Sequence, residues 1–358
     1  MKWFDGFVAD EHKYPVCLSY SHDRRFRNMP GLVVRKENGE LKWYPLFKVG
    51  SKYTFYPSGK EEEKESGREV GSGWNFLKYL PGYWIPSTTA KQRGRIGGGS
   101  SMIVLDKDGD MKHYPFVGET FKGVRGSGDK VGRGFNAEWD YYVAEWTGEG
   151  VSDLVVRDEE GHLRLFPWDG SKLRDLGFSE KVGEGFDKAR FPDLYAGYWN
   201  GGAYPDMLAR EKDGDLYVYP FNGKTFREGK PRKIGRGFGK DFTHLLVDEW
   251  MGVGTPAIVA RHKNGKLTFY RYGRLDPKES LNVFGEGPYP TVGQGFKENW
   301  VYILGHWRNP GSPDLIVCDD DHNMRIYPWD GSTFVDLRGD EKMIGKGWKF
   351  THFWDFYP

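Results

Sequence analysis

Cysteine is almost absent from this chain, and long hydrophobic runs and glycosylation sequons are missing altogether. Only Cys17 and Cys318 occur among the 358 residues, too few for a disulfide scaffold, so two free thiols are expected. No stretch approaches the roughly 18 to 20 apolar residues that cross a membrane, and Met1–Asp5 lacks the apolar core of a signal peptide. We therefore expect a soluble protein without membrane insertion, cytoplasmic or secreted, and the missing sequons favour the cytoplasm.

A charge excess of either sign is missing too. The 52 Lys and Arg residues nearly cancel the 51 Asp and Glu residues, so no overall field attracts a polyanion and no nucleic-acid partner is expected. What the chain has instead is 50 Gly, 14 Trp, 21 Tyr and 24 Phe. This composition is typical of short strands and tight turns, and it predicts an all-β protein with very little helix.

A strand-turn-strand unit recurs along the whole chain. Gly occupies one phase of its turn, where a positive φ is needed, in five of the copies, and His322 stands there in the sixth. The copies are Leu32–Pro45, Met102–Pro115, Leu154–Pro167, Met207–Pro220, Ile258–Arg271 and Leu315–Pro328.

Two further elements accompany each hairpin. The first reads Val/Ile-Gly-x-Gly-Phe/Trp, and the second is an apolar strand that ends in Trp. Four short strands per copy match one propeller blade, and stacked blades shield one another's faces only when the circle is closed. Residues 1–358 are predicted to form a single six-bladed β-propeller of four-stranded antiparallel blades, with seven blades as the alternative.

The two ends of the chain carry candidate closing strands. Phe350–Phe356 looks like one more strand of the Trp-ending type, and Phe4–Ala9 is a second candidate that could pair with it. Such closure would make the first and last copies neighbours. It would bring Cys17 and Cys318 into the same region, where a disulfide is an alternative to two free thiols.

The stretch Glu145-Trp-Thr-Gly-Glu-Gly-Val-Ser-Asp153 resembles the loop of integrin-type FG-GAP or VCBS repeats. The resemblance extends over nearly the whole chain and implies a propeller fold, with calcium held by acidic loop positions. Most of those positions are not acidic here, so no cofactor is expected in the other copies. Glu145, Glu149 and Asp153 are the one candidate metal set.

Among propellers with such repeats, the chain looks most like bacterial and fungal propeller lectins. That resemblance implies sugar sites between blades, built from flat aromatic surfaces and polar groups. The candidate residues are the strand-ending Trp series and the two Trp-Asp-Gly turns, and the alternative is that the strand-ending rings only pack between blades. Turn aromatics are usually exposed, so Trp168 and Trp329 are less easily explained as core residues. The full set of candidates is Trp84, Trp146, Trp199, Trp250, Trp307, Trp168 and Trp329.

No catalytic triad, zinc motif or phosphate loop is recognisable. If the Trp-ending strands are innermost, His and carboxylate side chains could still meet at the central channel and act as acid and base, as in propeller lyases. A channel lined with aromatics could instead bind a small molecule for cyclisation. The candidates are His244, Asp248, His306, His352 and Asp355.

A carbohydrate-binding, lectin-like propeller with repeated sites is the leading hypothesis, with glycans or another small molecule as partner. The alternatives are a lyase or cyclase with one site at the channel, or a scaffold that binds other proteins. Repeat symmetry separates the first two, because lectin sites recur whereas a catalytic site is unique. Ligand identity, catalysis and oligomeric state stay open at this point.

Overall fold

The computed structural model contains only β-strands as regular elements. It describes residues 31–49, 52–55, 67–85, 99–117, 120–121, 128–173, 179–226, 230–251, 256–274, 282–284, 288–309, 312–335 and 342–356. No helix is present in these ranges, and accordingly none that is long and apolar enough to span a bilayer.

The strands follow one another in six groups along the chain. The first three groups are β1 (Gly31–Arg35), β2 (Leu41–Val49), β3 (Lys52–Phe55) and β4 (Arg68–Gly71); β5 (Lys78–Ile85), β6 (Gly99–Leu105), β7 (Asp110–Val117), β8 (Thr120–Phe121) and β9 (Asp129–Arg133); and β10 (Asp140–Ala144), β11 (Asp153–Arg157), β12 (Leu163–Phe166) and β13 (Glu180–Gly183). The last three are β14 (Asp193–Gly197), β15 (Asp206–Arg210), β16 (Leu216–Tyr219) and β17 (Arg232–Gly235); β18 (Phe242–Asp248), β19 (Ala257–His262), β20 (Leu267–Tyr270), β21 (Tyr272–Arg274), β22 (Asn282–Phe284) and β23 (Thr291–Gly293); and β24 (Val301–Asn309), β25 (Ser312–Cys318), β26 (Met324–Tyr327), β27 (Met343–Gly345) and the closing β28 (His352–Phe356).

Six four-stranded antiparallel blades result, which confirms the six-bladed propeller. Blade 1 has the order β28-β1-β2-β4, and blades 2 to 6 begin with β5, β10, β14, β18 and β24. These first strands are the inner strands, because neighbouring ones approach each other: β10 lies beside β5 and β14, and β24 lies beside β28. The remaining strands extend the sheets (β3, β8) or form a separate ribbon (β21 with β22).

The ring is closed by the C-terminal strand. β28 pairs with β1 in antiparallel register, with Val33 opposite Trp354, so Phe350–Phe356 supplies the predicted closing strand. Phe4–Ala9 and Cys17 lie outside the described residues. The second closing strand, the disulfide and the single domain over the full length therefore stay predictions. Cys318 is buried on β25, and burial raises the pKa of its thiol to about 11.

The core lies between neighbouring blades, because both faces of each blade are apolar. Along β10, Tyr141 and Val143 pack in a cluster shared with blade 2, whereas Tyr142 and Ala144 pack in a cluster shared with blade 4. This alternation follows from the two-residue period of a strand. One blade alone would leave one of these faces in water, so the blades depend on one another.

A repeated backbone hydrogen bond fixes the hairpin turn in every blade. The N–H of the aromatic residue in the Gly-x-Gly-Phe/Trp element donates to the carbonyl of the turn residue at 2.8 to 3.1 Å. The five turn glycines have φ between 74° and 97°, and His322 in blade 6 adopts the same left-handed region at 59°. His322 is the one non-glycine residue with positive φ among the described residues, and it is held there by the repeat.

Candidate functional site

The strand-ending Trp series lies in the interior. Trp84, Trp146, Trp199 and Trp250 have no exposed surface, and Trp307 is 6% exposed. In three of them the indole Nε1 donates to the carbonyl four residues earlier: Leu80, Tyr142 and Leu246. These rings are closed to solvent, as the interpretation that they pack between blades predicts.

Four of these five Trp rings meet an aromatic ring of the next blade edge to face. The centroid separations are 5.7 Å for Trp84–Trp168, 5.7 Å for Trp146–Phe221, 5.3 Å for Trp199–Tyr272 and 5.1 Å for Trp250–Trp329. Edge-to-face contact is a favourable arrangement for aromatic pairs. The rings therefore form a repeated seam between consecutive blades.

The expected exposure of the two Trp-Asp-Gly turns is wrong. Trp168 and Trp329 are each 2% exposed, and each indole donates at 2.6 Å to a carbonyl of the preceding blade, Trp84 O or Trp250 O. Isolated bridges, Trp168 to Leu173 and Trp329 to Phe334, turn the chain so that the ring faces inwards. A turn position predicts that the backbone is exposed, but it does not predict the side chain, and here the aromatic ring packs in the seam between blades.

Asp153 closes the Glu145–Asp153 loop. Its Oδ2 accepts hydrogen bonds from the N–H and hydroxyl of Thr147 at 2.8 Å, and its Oδ1 accepts from the N–H of Trp168 at 2.9 Å. Glu145 accepts from the N–H of Gly150 at 2.8 Å. Burial raises the pKa of Asp153 to about 6, although these donors lower it.

The carboxylates of Glu145, Glu149 and Asp153 do not converge as a metal cage. Among the described residues, three-residue sets with ligand atoms within 4.8 Å of one another occur in two hairpin turns instead, at Asp158–His162 and Glu211–Asp215. Calcium binding by the Glu145–Asp153 loop stays an untested prediction, and hydrogen-bond donors already occupy both oxygens of its most buried ligand.

Three equivalent aspartates serve as loop anchors, and blade 5 departs from them. Asp153 and Asp206 begin the second strand of their blades, and Asp314 is the third residue of β25; each lies opposite a Gly or Ala of the inner strand. In blade 5 that order is reversed, because Ala257 begins β19 and Asp248 stands opposite it at the end of β18. In blade 5 the inner strand, rather than the second strand, therefore carries the carboxylate.

The displaced carboxylate meets a histidine of the next blade. His306 Nε2 lies 3.3 Å from Asp248 Oδ1, and both residues are 6% exposed. Burial opposes the charged imidazole, but the carboxylates of Asp248, Glu249 and Asp314 together raise the pKa of His306. Two of the five predicted acid–base candidates are thus brought together at the seam between blades 5 and 6.

The other acid–base candidates do not join them. His244 and His352 stand near the opposite end of their inner strands, paired in register with Arg261 and Arg35. Each histidine has its Nδ1 at 3.0 Å from the hydroxyl of the threonine before it. Four residues of strand separate His244 from Asp248, about 13 Å. The expected convergence of all three histidines is therefore wrong, and the side chain of Asp355 lies outside the described residues.

Two tryptophans that the sequence interpretation did not select lie on the rim. Trp139 and Trp300 directly precede the inner strands of blades 3 and 6 and are half-buried. Each ring packs against the Phe of its Gly-x-Gly-Phe element, at 6.4 Å from Phe135 and 6.1 Å from Phe296. In the corresponding position blades 1, 2, 4 and 5 have Thr351, Leu77, Pro192 and Thr243.

Polar groups accompany these two rings. In blade 3, Asn136 donates to Glu159 of the hairpin turn at 2.5 Å. In blade 6, Asn299 and Lys297 donate to the turn residue Asp320, each at 2.5 Å. We define the blade 3 station as Asn136, Trp139 and Glu159, and the blade 6 station as Lys297, Asn299, Trp300 and Asp320.

The same turn position distinguishes blades 3 and 6 from blades 2, 4 and 5, whereas blade 1 also has an acidic residue there, Glu37. Lys107, Lys212 and Lys263 occupy it in blades 2, 4 and 5. The signal that could have found the stations is thus a Trp before the inner strand combined with an acidic turn residue. Because blades 3 and 6 are three apart in a ring of six, the stations lie on opposite sides of the propeller.

No family model and no curated protein matches the chain, so FG-GAP or VCBS membership stays a resemblance. Among solved structures, the chain is similar to the BP39L lectin from Burkholderia pseudomallei, with a TM-score of 0.48, 11% identity, and coverage of 91% of this chain and 86% of the lectin. It is also similar to the computationally designed Ika8 protein, with a TM-score of 0.39, 10% identity, and coverage of 95% and 91%. These values carry no argument about function, and the fold rests on the strand order described above.

Proposed function

We propose that the protein binds carbohydrate at the blade 3 and blade 6 stations. The observation that carries this proposal is a half-buried Trp and an acidic turn residue at equivalent positions of two opposite blades, each with an Asn in the same segment that donates to the carboxylate. A sugar ring offers an apolar C–H face and a rim of hydroxyls, so it needs a flat aromatic surface and adjacent hydrogen-bonding groups. Both stations supply these groups.

The position of the stations fits sites between blades. Each Trp belongs to the segment that leads from the outer strand of one blade to the inner strand of the next, β9 to β10 or β23 to β24. Each acidic partner belongs to the hairpin turn of the following blade. The amide-to-carboxylate hydrogen bonds hold these groups in place before a ligand arrives, which lowers the entropy cost of binding.

Two stations on one ring increase avidity for a multivalent glycan. A shallow site with one aromatic surface binds weakly, but engagement of both sites can raise apparent affinity by about 10²-fold or more. The protein would then bind surfaces that carry many copies of a glycan better than the free sugar. This behaviour is typical of lectins and requires no catalytic group.

The test is glycan-array binding followed by calorimetry on Trp139→Ala, Trp300→Ala and the double variant. Each single variant should halve the stoichiometry for free sugar, and the double variant should lose binding. Leu77→Ala is the matched control, because Leu77 occupies the same position in blade 2 and is 38% exposed. Unchanged binding by the double variant, or no binding of the wild type at millimolar sugar, would overturn the proposal.

The alternatives receive less support from the geometry. The His306–Asp248 pair has the uniqueness expected of a catalytic site, but both side chains are 6% exposed, so we propose a different role for it below. A protein scaffold predicts one broad apolar patch. In the part of the chain that the structure describes, the exposed large apolar side chains are Leu77, Val301 and Val335, which lie on two different blades.

A further inference from the structure

The seam between blades 5 and 6 contains a charged pair that other described seams lack. By register, the residues of blades 3 and 4 that are equivalent to this pair are the uncharged Ala144 and Tyr198. At the blade 5 to 6 seam the corresponding residues are Asp248 and His306. Space for the carboxylate exists because Ala257 replaces the loop-anchoring aspartate on the paired strand.

We propose that His306 and Asp248 form a proton-dependent clamp that holds blades 5 and 6 together at the inner rim. Asp248 Oδ1 is fixed by the backbone N–H of Glu249 at 2.6 Å, so it stands ready for the imidazole of the next blade. His306 lies on β24, the inner strand of blade 6. A protonated imidazole makes a charge-assisted contact across the seam, whereas a neutral one leaves the carboxylate without a countercharge there.

The charges around the imidazole favour its protonation. Asp248 and Glu249 act on it from blade 5, and Asp314 acts on it from blade 6, where Asp314 is itself paired with Arg308. Arg308 is engaged by Asp314 through Nε and Nη2 at 2.8 to 3.0 Å.

The pH window follows from the direction of the shift. The pKa of His306 is raised above its ordinary value of 6.5, so the folded chain holds this proton more tightly than the unfolded chain does. The clamp is fully formed below pH 6.5 and is lost as pH rises through the raised pKa. Because one proton is lost, the equilibrium constant for opening of the seam should rise by at most about tenfold per pH unit in this window.

Hydrogen exchange read by mass spectrometry tests the clamp on the full chain. After correction for intrinsic exchange, the protection of peptides covering β18 and β24 should fall as pH rises above 6.5, and peptides covering β10 and β14 serve as the internal control. His306→Gln should remove this difference in pH dependence. His162→Gln is the matched control variant, since His162 is a partly exposed hairpin residue of blade 3.

A second measurement covers the case in which His306→Gln does not fold. The imidazole of His306 in the wild type is titrated by NMR with labelled histidine, assigned with the Asp248→Asn variant, in which the titration midpoint should drop. A wild-type midpoint at or below 6.5 would overturn the proposal. So would equal pH dependence of the two seams, or an unchanged midpoint in Asp248→Asn.

Discussion

Removal of the Trp168 ring distinguishes a seam residue from a ligand surface. The ring is 2% exposed, lies edge to face on Trp84, and is 5.2 Å from the ring of His113. Truncation of a buried aromatic ring to Ala costs about 3 to 5 kcal/mol. We expect Trp168→Ala to lose stability in this range, because blade 2 and blade 3 lose the same contact.

A conservative change separates the ring from its hydrogen bond. In Trp168→Phe the edge-to-face contact is kept, as in blade 4, where Phe221 occupies this position. The lost bond is Nε1 to Trp84 O at 2.6 Å, and a buried carbonyl left without that donor costs about 1 to 3 kcal/mol. Trp168→Phe should therefore cost clearly less than Trp168→Ala.

Urea unfolding followed by tryptophan fluorescence and circular dichroism measures both losses. Trp139→Ala is the comparison. Because the rim ring is only half-buried, this variant should lose no more than about half of the unfolding free energy that Trp168→Ala loses, and it should lose glycan binding at the blade 3 station. The reasoning is refuted if Trp168→Ala leaves the urea midpoint unchanged. It is refuted equally if that variant loses glycan binding at wild-type stability.

Three further predictions concern the repeat itself. His322→Gly should raise the free energy of unfolding by about 1 kcal/mol in urea titrations, because the left-handed conformation is strained for a non-glycine residue, whereas Gly265→Ala, its counterpart in blade 5, should lower it. Between about pH 4 and 6 the contribution of Asp153 and Asp206 to the unfolding free energy should fall as pH rises, since burial raises the folded-state pKa of both to about 6 and the folded chain then binds the extra protons. In thermal unfolding across that window, the difference in stability between the wild type and Asp153→Asn should therefore change with pH. Millimolar calcium should leave the thermal midpoint unchanged in calorimetry, because Asp153 already accepts three hydrogen bonds, and a rise that chelation reverses would contradict this expectation.

The blade architecture could be predicted because its signals are local and repeated. A Gly before the third strand, the Gly-x-Gly-Phe element and a Trp at fixed distance recur in phase, and each fixes a turn or a strand end by short-range geometry. His322 is instructive here, since its place in the repeat predicts a turn that its own side chain disfavours. Its φ is 59°. The backbone at this position therefore follows the conformation of the five glycine-containing copies and not the intrinsic preference of histidine.

Side-chain direction at the strand ends was harder to predict. The sequence shows that Trp168 precedes Asp-Gly in a turn, but the ring faces the seam because an isolated bridge to Leu173 folds the turn inwards. Likewise, His244 and His306 both belong to inner strands, yet they occupy opposite ends of them. Strand membership follows from the pattern, whereas the end of the strand that a side chain occupies depends on register.

The two features to which we assign a function are both departures from the repeat. In a ring of equivalent blades, a residue that packs or anchors a loop is expected to recur, as Asp153, Asp206 and Asp314 do in blades 3, 4 and 6. Residues that break the pattern at one or two positions are not required by that geometry. With Asp248 and Ala257 exchanged relative to the other blades, the buried carboxylate lies on the inner strand, next to His306 of the next blade. A neutral pair of residues would pack there with a smaller desolvation cost. A buried charged pair at a single seam is expected where the charge itself is used, and we therefore infer a proton-dependent contact, rather than packing alone, for this pair.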